Sequence, residues 1–331
     1  MPTAIQRIVV LRPNHRLGNV VLLTALVHEL GELYPRAEIE LVTAGGAARA
    51  VFASSPRVTA IHSFPAKSYH HPGRVLRLLW QLRRRSYDLA VDPMPRSRAS
   101  RFLLRFVRAR ERIGYRWGSA TQDGMLTGAA ASAAAPLHWA EKPVYLVRST
   151  YRAEEGAEFD ASAIMRPLGI GLTAEERHAG ERELATALGS ACLGEGPIIG
   201  IFANATGDKR FASEWWRAVV DVLRVEAPRL RLVQLLPEDG SGRIADDLPT
   251  VRSSDLRRVG AMLAASSLVV SADCGVMHLA DASGAAVLGL FKTTQPSRFG
   301  PRGPASEALL ASDESPAALA ARIISRLSER G

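Results

Sequence analysis

Short runs of aliphatic and β-branched residues alternate with longer amphipathic stretches along the whole chain, and the alternation runs through twice. In 331 residues, that pattern points to βαβ units on parallel sheets, because parallel strands need a crossover that a helix supplies. In the first half it predicts strands Arg7–Leu11, Glu38–Val42, Val58–Ile61, Leu89–Val91 and Arg112–Gly114. The helices between them are Val20–Leu33, Ala47–Ala53, Gly73–Arg84 and Ser97–Val107, followed by His138–Ser149, interrupted at Pro143. The second half restarts with helix Ala174–Leu188. Strands Ile198–Phe202, Leu230–Leu235, Leu268–Ser271 and Ala286–Phe291 then alternate with helices Ala212–Glu226, Asp255–Ala264 and Gly275–Ser283. Helix Pro316–Glu329 closes the chain.

The expected fold class is therefore α/β, with two Rossmann-like domains, 1–160 and 161–331, whose parallel sheets face a central cleft. The boundary falls near Glu154–Thr173, where Gly and Pro thicken, and the last helix is free in this reading to pack back on the first domain. Ligands of such sheets sit at the carboxyl ends of the strands. No apolar run nears the length of a membrane span, and the start of the chain lacks the apolar core of a signal peptide, so a cytoplasmic protein is expected. Two cysteines, Cys192 and Cys274, make no disulfide framework, and no Cys/His spacing suggests a metal site.

Charge adds a direction. The chain has 42 basic and 33 acidic residues. Residues 1–165 hold 23 basic and 13 acidic residues, a balance of +10, whereas residues 166–331 hold 19 and 20, a balance of −1. Between Arg74 and Arg116, thirteen arginines face only Asp88, Asp92 and Glu111. Such a field favours an anionic partner. No signature of an RNA- or DNA-binding module accompanies it, so a nucleic acid is not expected.

Three segments of the second half carry chemistry. Val269–Ser271 runs through Ala272 and Asp273 into a helix opened by Gly275, Val276 and Met277, with His278 one turn in. Asp273 is expected as the helix N-cap at the donor phosphate site, the free amides behind it suit an anion, and His278 is placed to hydrogen-bond the same anion. After Ile198–Phe202, Thr206 can donate to a phosphate oxygen and Lys209 supplies a cation. After Leu235, Glu238 is placed to accept from ribose hydroxyls.

Together these segments resemble glycosyltransferase family 9, the ADP-heptose–lipopolysaccharide heptosyltransferases. The family's Asp-Thr/Ser-Gly-x-x-His-x-Ala signature is matched by Asp273-Cys274-Gly275-Val276-Met277-His278-Leu279-Ala280, and its Phe-Gly-x-Thr-x-Pro stretch by Phe291-Lys292-Thr293-Thr294-Gln295-Pro296. Its Thr-x-x-Lys grip resembles Thr206 to Lys209, ahead of Trp215 and Trp216. Arg12 to Leu26, Tyr87 to Asp92 and Arg112 to Tyr115 match its opening and middle. The resemblance implies a GT-B fold and an inverting, metal-independent transfer of a sugar, with no cofactor. It implies a nucleotide-sugar donor on the second domain and an anionic saccharide or glycolipid acceptor on the first.

By that resemblance Thr206, Lys209 and the Gly275–Met277 amides would stabilise the leaving diphosphate. Arg96, Arg98 and Arg101, following strand Leu89–Val91, would meet the acceptor. The helix Gly73–Arg84 could lie on an anionic inner membrane face. Where the family has its basic Asp, this chain has Asn19, whose amide cannot take a proton at neutral pH. Three readings stay open. Asn19 orients the acceptor while His15, ahead of Asp92, takes the proton; the leaving diphosphate assists; or the protein binds a nucleotide-sugar or saccharide with little turnover. Cys274 for Thr/Ser and Lys292 for Gly are further departures, and either could change the donor.

Overall fold

The computed structural model describes residues 5–65, 70–131, 136–152, 168–189 and 196–329. Cys192 and most of the Glu154–Thr173 linker lie outside the described residues. The chain forms two compact units, Met1–Arg166 and Pro167–Gly331.

The first unit runs β1 (Arg7–Arg12), α1 (Leu17–Leu22), α2 (Thr24–Leu33), β2 (Glu38–Ala44), α3 (Ala47–Val51), β3 (Val58–Phe64) and α4 (Pro72–Arg84). It continues with β4 (Ser86–Asp92), α5 (Arg98–Leu104), β5 (Arg108–Tyr115), α6 (Ala120–Asp123), β6 (Gly128–Ala130) and α7 (Glu141–Arg152). Its sheet has the order β3-β2-β1-β4-β5-β6, parallel at every pairing. Ile8, Val9, Val10 and Leu11 are all fully buried, as a central strand covered on both faces requires.

The second unit runs α8 (Ala174–Leu188), β7 (Ile198–Phe202), α9 (Ser213–Glu226), β8 (Arg231–Leu236), β9 (Thr250–Arg252) and α10 (Leu256–Ala264). After these come β10 (Leu268–Ala272), α11 (Gly275–Ala282), β11 (Val287–Phe291), α12 (Pro296–Phe299), β12 (Glu307–Leu310) and α13 (Pro316–Ser328). Its all-parallel sheet has the order β12-β11-β10-β7-β8-β9, the same winding as the first. The final helix α13 packs on α9, with Leu319, Ala320 and Ile323 in one cluster with Trp216, Val219 and Leu223. Each large side chain so buried contributes about 1.5–3 kcal/mol.

The departures from expectation have local causes. The single helix expected over Val20–Leu33 is two, because the buried Thr24 hydroxyl donates to Val21 O at 2.7 Å and turns the backbone there. Pro143 does not interrupt α7, since it sits in the first turn, where no helical N–H is required. β5 starts at Arg108 rather than Arg112, and its first residues pair with β4 alone. Arginine at alternate positions there masks the strand and suits an unpaired edge. β6, β9 and β12 escaped sequence reading because each is a three- or four-residue strand at the outside of its sheet.

Helices α8 and α10 approach closely at Gly180, where an added Cβ would lie 2.4 Å from the carbonyl carbon of Ala261 and 2.8 Å from the amide nitrogen of Met262. Backbone cannot yield as a flexible side chain can. Gly180→Ala is therefore expected to cost about 1–3 kcal/mol, despite the ~1 kcal/mol propensity gain of alanine in a helix. A lowered denaturant midpoint with an unchanged slope checks this, and an unchanged or raised midpoint would contradict it.

Candidate functional site

In the second unit the chain leaves β7 toward β8 on one side and leaves β10, its neighbour, toward β11 on the other. The loops after these two strands therefore diverge and leave a crevice at their carboxyl ends, where α/β sheets take ligands. The loop after β7 carries Thr206 to Lys209, and the one after β10 carries Asp273 and Cys274. Lys209 Nζ lies 2.6 Å from Asp273 Oδ2, and Thr294, from the loop after β11, donates its hydroxyl to the same oxygen at 2.5 Å. Three loops are thus tied at one buried carboxylate.

That pairing corrects the role expected of Asp273. Cys274 occupies the N-cap of α11 and makes no side-chain cap bond. The carboxylate goes instead to Lys209 and Thr294, because a bond to an ammonium is stronger than one to a neutral amide. The first amides of α11, at Gly275, Val276 and Met277, have no side-chain cap. Met277 itself packs into the core, where an added Cβ on Gly289 would lie 2.6 Å from its sulfur, so only its backbone is offered. Cys274 is held as a thiol, its burial pushing the pKa up.

His278 is buried one turn into α11, with Nδ1 unpartnered. Burial pulls its pKa down to about 4, against the opposing pull of Asp273 and Asp281. The ring is neutral at pH 7. Thr206 is exposed and Gly207 adopts φ 62°, the left-handed turn that lets the short 3₁₀ segment present Lys209. Lys292 donates to Arg210 O at 3.4 Å.

Beside these loops is a cavity of about 250 Å³, lined chiefly by Phe202, Leu235, Val251, Val259, Met262 and Val276, with Glu238 exposed at its rim. The turn carrying Glu238 is braced: Gly240 N donates to Pro237 O, Asp239 accepts from Ser241, and Asn204 donates to the Ser241 hydroxyl at 2.8 Å. The Ser241 bonds hold the Asp239 carboxyl below its ordinary range.

In the first unit the corresponding divergence lies between β1 and β4. His15 is exposed beside Gly45, whose added Cβ would lie 3.5 Å from His15 Cβ. Asn19 Nδ2 donates to Asn14 Oδ1 at 3.0 Å. Arg96 and Arg98 are exposed, and Arg96 has φ 55°, a left-handed backbone that a non-glycine residue holds at a cost.

Two expectations in this unit are overturned. Arg101 was expected to meet an acceptor, but only 1% of it is exposed. Its guanidinium binds Asp92 Oδ2 at 2.9 Å, Gln122 O at 2.9 Å and Tyr115 O at 2.8 Å. Asp92 was the alternative proton acceptor. It is wholly buried, with Oδ1 taken by the Ser100 hydroxyl at 2.6 Å and Oδ2 by Arg101. Burial raises the Asp92 pKa while Ser100 and Arg101 pull against it, and no oxygen faces solvent. The pair braces the sheet.

Some residues of the crevice escaped sequence reading. Thr294 stood in a quoted motif, yet its bond to Asp273 depends on a fold that brings β11 beside β10. Val251, Ser253 and Leu256 line the cavity because β9, too short to recognise, delivers them there. Arg12 did leave a signal, a charge ending an otherwise apolar central strand.

The family model of glycosyltransferase family 9 (heptosyltransferase) matches residues 75–322. No curated protein matches the chain in sequence. Among solved structures, a glycosyl transferase family 9 protein from Veillonella parvula superposes with a TM-score of 0.78 at 16% identity, covering 99% of both chains. E. coli ADP-heptose lps heptosyltransferase II gives 0.74 at 20% identity, over 98% of this chain and 99% of that one. E. coli heptosyltransferase WaaC with ADP gives 0.72 at 17% identity, over 98% and 99%. These likenesses show the fold, α/β and GT-B-like.

The His278 ring is expected to stay neutral well below pH 6. On folding, the unfolded chain but not the folded one takes its proton as pH falls from 6.5 toward 4, so stability declines in that window. An imidazole NMR titration with a midpoint near 4 checks this, and a midpoint above 6 would contradict the burial.

Proposed function

The chain belongs to glycosyltransferase family 9 (heptosyltransferase), and from that premise we propose that it transfers a heptose from ADP-heptose to an anionic lipopolysaccharide-core saccharide by one inverting displacement that needs no metal. The observation that carries the donor half is the junction at Asp273, where Lys209 and Thr294 meet at one oxygen beside the uncapped amides of α11. A nucleoside fits the apolar cavity with Glu238 on a ribose hydroxyl, and its diphosphate lies on the Gly275–Met277 amides. Only one of the three ammonium protons of Lys209 is needed for Asp273, so the others are free to meet a phosphate oxygen.

As the acceptor oxygen attacks C1, the bond from C1 to the diphosphate breaks and negative charge grows on the leaving group. Fixed donors aimed at that charge lower the barrier without reorganising. Thr206, exposed in the same loop, adds a hydroxyl. His278, neutral and buried, can donate only one hydrogen bond.

The acceptor belongs with the first unit in this reading, where Arg96 and Arg98 are exposed to grip phosphate or carboxylate. Asn19, tethered to Asn14, orients the attacking hydroxyl, and His15 in the same loop takes its proton. Lys209→Ala is expected to lower turnover about 10²–10³-fold, the loss typical of one transition-state donor. Radiolabelled ADP-heptose with a Kdo-containing lipid acceptor measures it. Binding of ADP with no transfer from any nucleotide-sugar would overturn the enzyme mechanism and leave a nucleotide-sugar- or saccharide-binding protein in its place.

The reading places the protein at the cytoplasmic face of an anionic membrane. No described helix is long and apolar enough to cross a membrane. Helix α4, however, exposes Leu76 at 66% and Trp80 at 59%. Arg77 and Arg83 are exposed on the same helix, and Arg84 stacks over Trp80 at 4.4 Å. Each arginine near such a surface is worth about 1 kcal/mol. The protein is expected to float with vesicles containing anionic lipid, and Trp80→Glu to lose most of that binding. Equal flotation with neutral vesicles, or no effect of the substitution, would rule out this contact.

A further inference from the structure

We infer that the recess at the carboxyl end of β1 is an oxyanion subsite, in which Arg12 is the cation and an acceptor carboxylate or phosphate is the missing counterion. The inference deepens the proposed function, because it rests on the first unit being the acceptor half.

Arg12 is the last residue of β1 and only 8% exposed. Among the described residues its guanidinium makes no hydrogen bond and no ion pair. The other deeply set arginines differ: Arg101 holds Asp92, Arg148 holds Glu29, and Arg257 holds Glu176. Buried charges are almost always paired in this way. Burial without a partner shows in the titration of Arg12, which desolvation pulls down to about 10 while the field of Asp92 opposes it. Asp92 is felt only through its field: its oxygens are bonded to Ser100 and Arg101, and Arg12 makes no contact with it.

The guanidinium opens on a recess shared with Asn19, Leu22, Met94, Trp139 and Pro143. Its volume of about 10 Å³ is near the space one water or one ligand oxygen fills. The apolar walls strengthen any charge-assisted bond made there and admit no large group. Asn19 is decisive for the electrostatics. Its amide is pinned to Asn14 Oδ1 at 3.0 Å and carries no charge. A carboxylate at that position would neutralise the recess from within, whereas the amide leaves the counterion to the ligand. The recess takes a single oxygen of the ligand, from a carboxylate or a phosphate alike, with the rest of that group outside it.

The test uses the full chain with ¹⁵N-labelled arginine, the Arg12 guanidinium resonance being assigned with Arg12→Lys. Sodium acetate and inorganic phosphate are titrated separately, with chloride holding ionic strength constant. A saturable shift of the Arg12 resonance is expected with at least one of them: acetate names a carboxylate ligand, phosphate a phosphate ester. Asn19→Asp should weaken that binding by about tenfold or more, the effect of a like charge placed beside the anion, while ADP titrated against the same variant binds unchanged. If neither anion moves the resonance beyond the chloride control, or if Asn19→Asp binds as well as the natural chain, the subsite is overturned. Loss of ADP binding in the natural chain, with the Arg12 shift intact, would instead remove the donor reading and leave the anion subsite standing.

Discussion

A parallel strand covered on both faces by helices has only its ends open to solvent, and this restriction decides where the chemistry of this chain can lie. Each sheet grows outward from a first strand, β1 or β7, then returns to that strand's other side with β4 or β10. The two loops leaving each central pair must part in opposite directions. Loop backbone and charged side chains gather at those ends, where a ligand can reach them.

The two units resolve that geometry with the same device and different chemistry. At corresponding places, Asp92 ends β4 and Asp273 follows β10, each buried and each held by a cation and a hydroxyl. In the first unit the cation is Arg101, wholly enclosed and bound to two further carbonyls, so the junction is a brace. In the second it is Lys209, about a third exposed, so the ammonium stays within reach of a ligand. The two junctions differ in the exposure of the cation rather than in the presence of the pair.

Much of this was legible in the sequence. The apolar runs around Val9 and Val270 announced central strands, and the Thr206–Lys209 and Asp273–His278 segments fall, as expected, directly after two strands of the second sheet. What failed depended on contacts between distant segments. Asp273 looks like an N-cap until Lys209 is seen 64 positions upstream in sequence and 2.6 Å away in space. Arg101 looks like a ligand grip until Tyr115 and Gln122 are found accepting from it. β6, β9 and β12 have a single neighbour each, and three or four residues carry too little periodicity to be recognised.

The claim on which the account turns is that a diphosphate sits where the loops after β7 and β10 diverge. A crystal structure of the chain with a non-hydrolysed ADP-heptose analogue tests it directly. The account predicts phosphate oxygens within hydrogen-bond distance of Lys209 Nζ and the Gly275–Met277 amides, with the base in the cavity beside Val251 and Val276. Well-ordered ligand bound elsewhere, with that crevice empty, would contradict it.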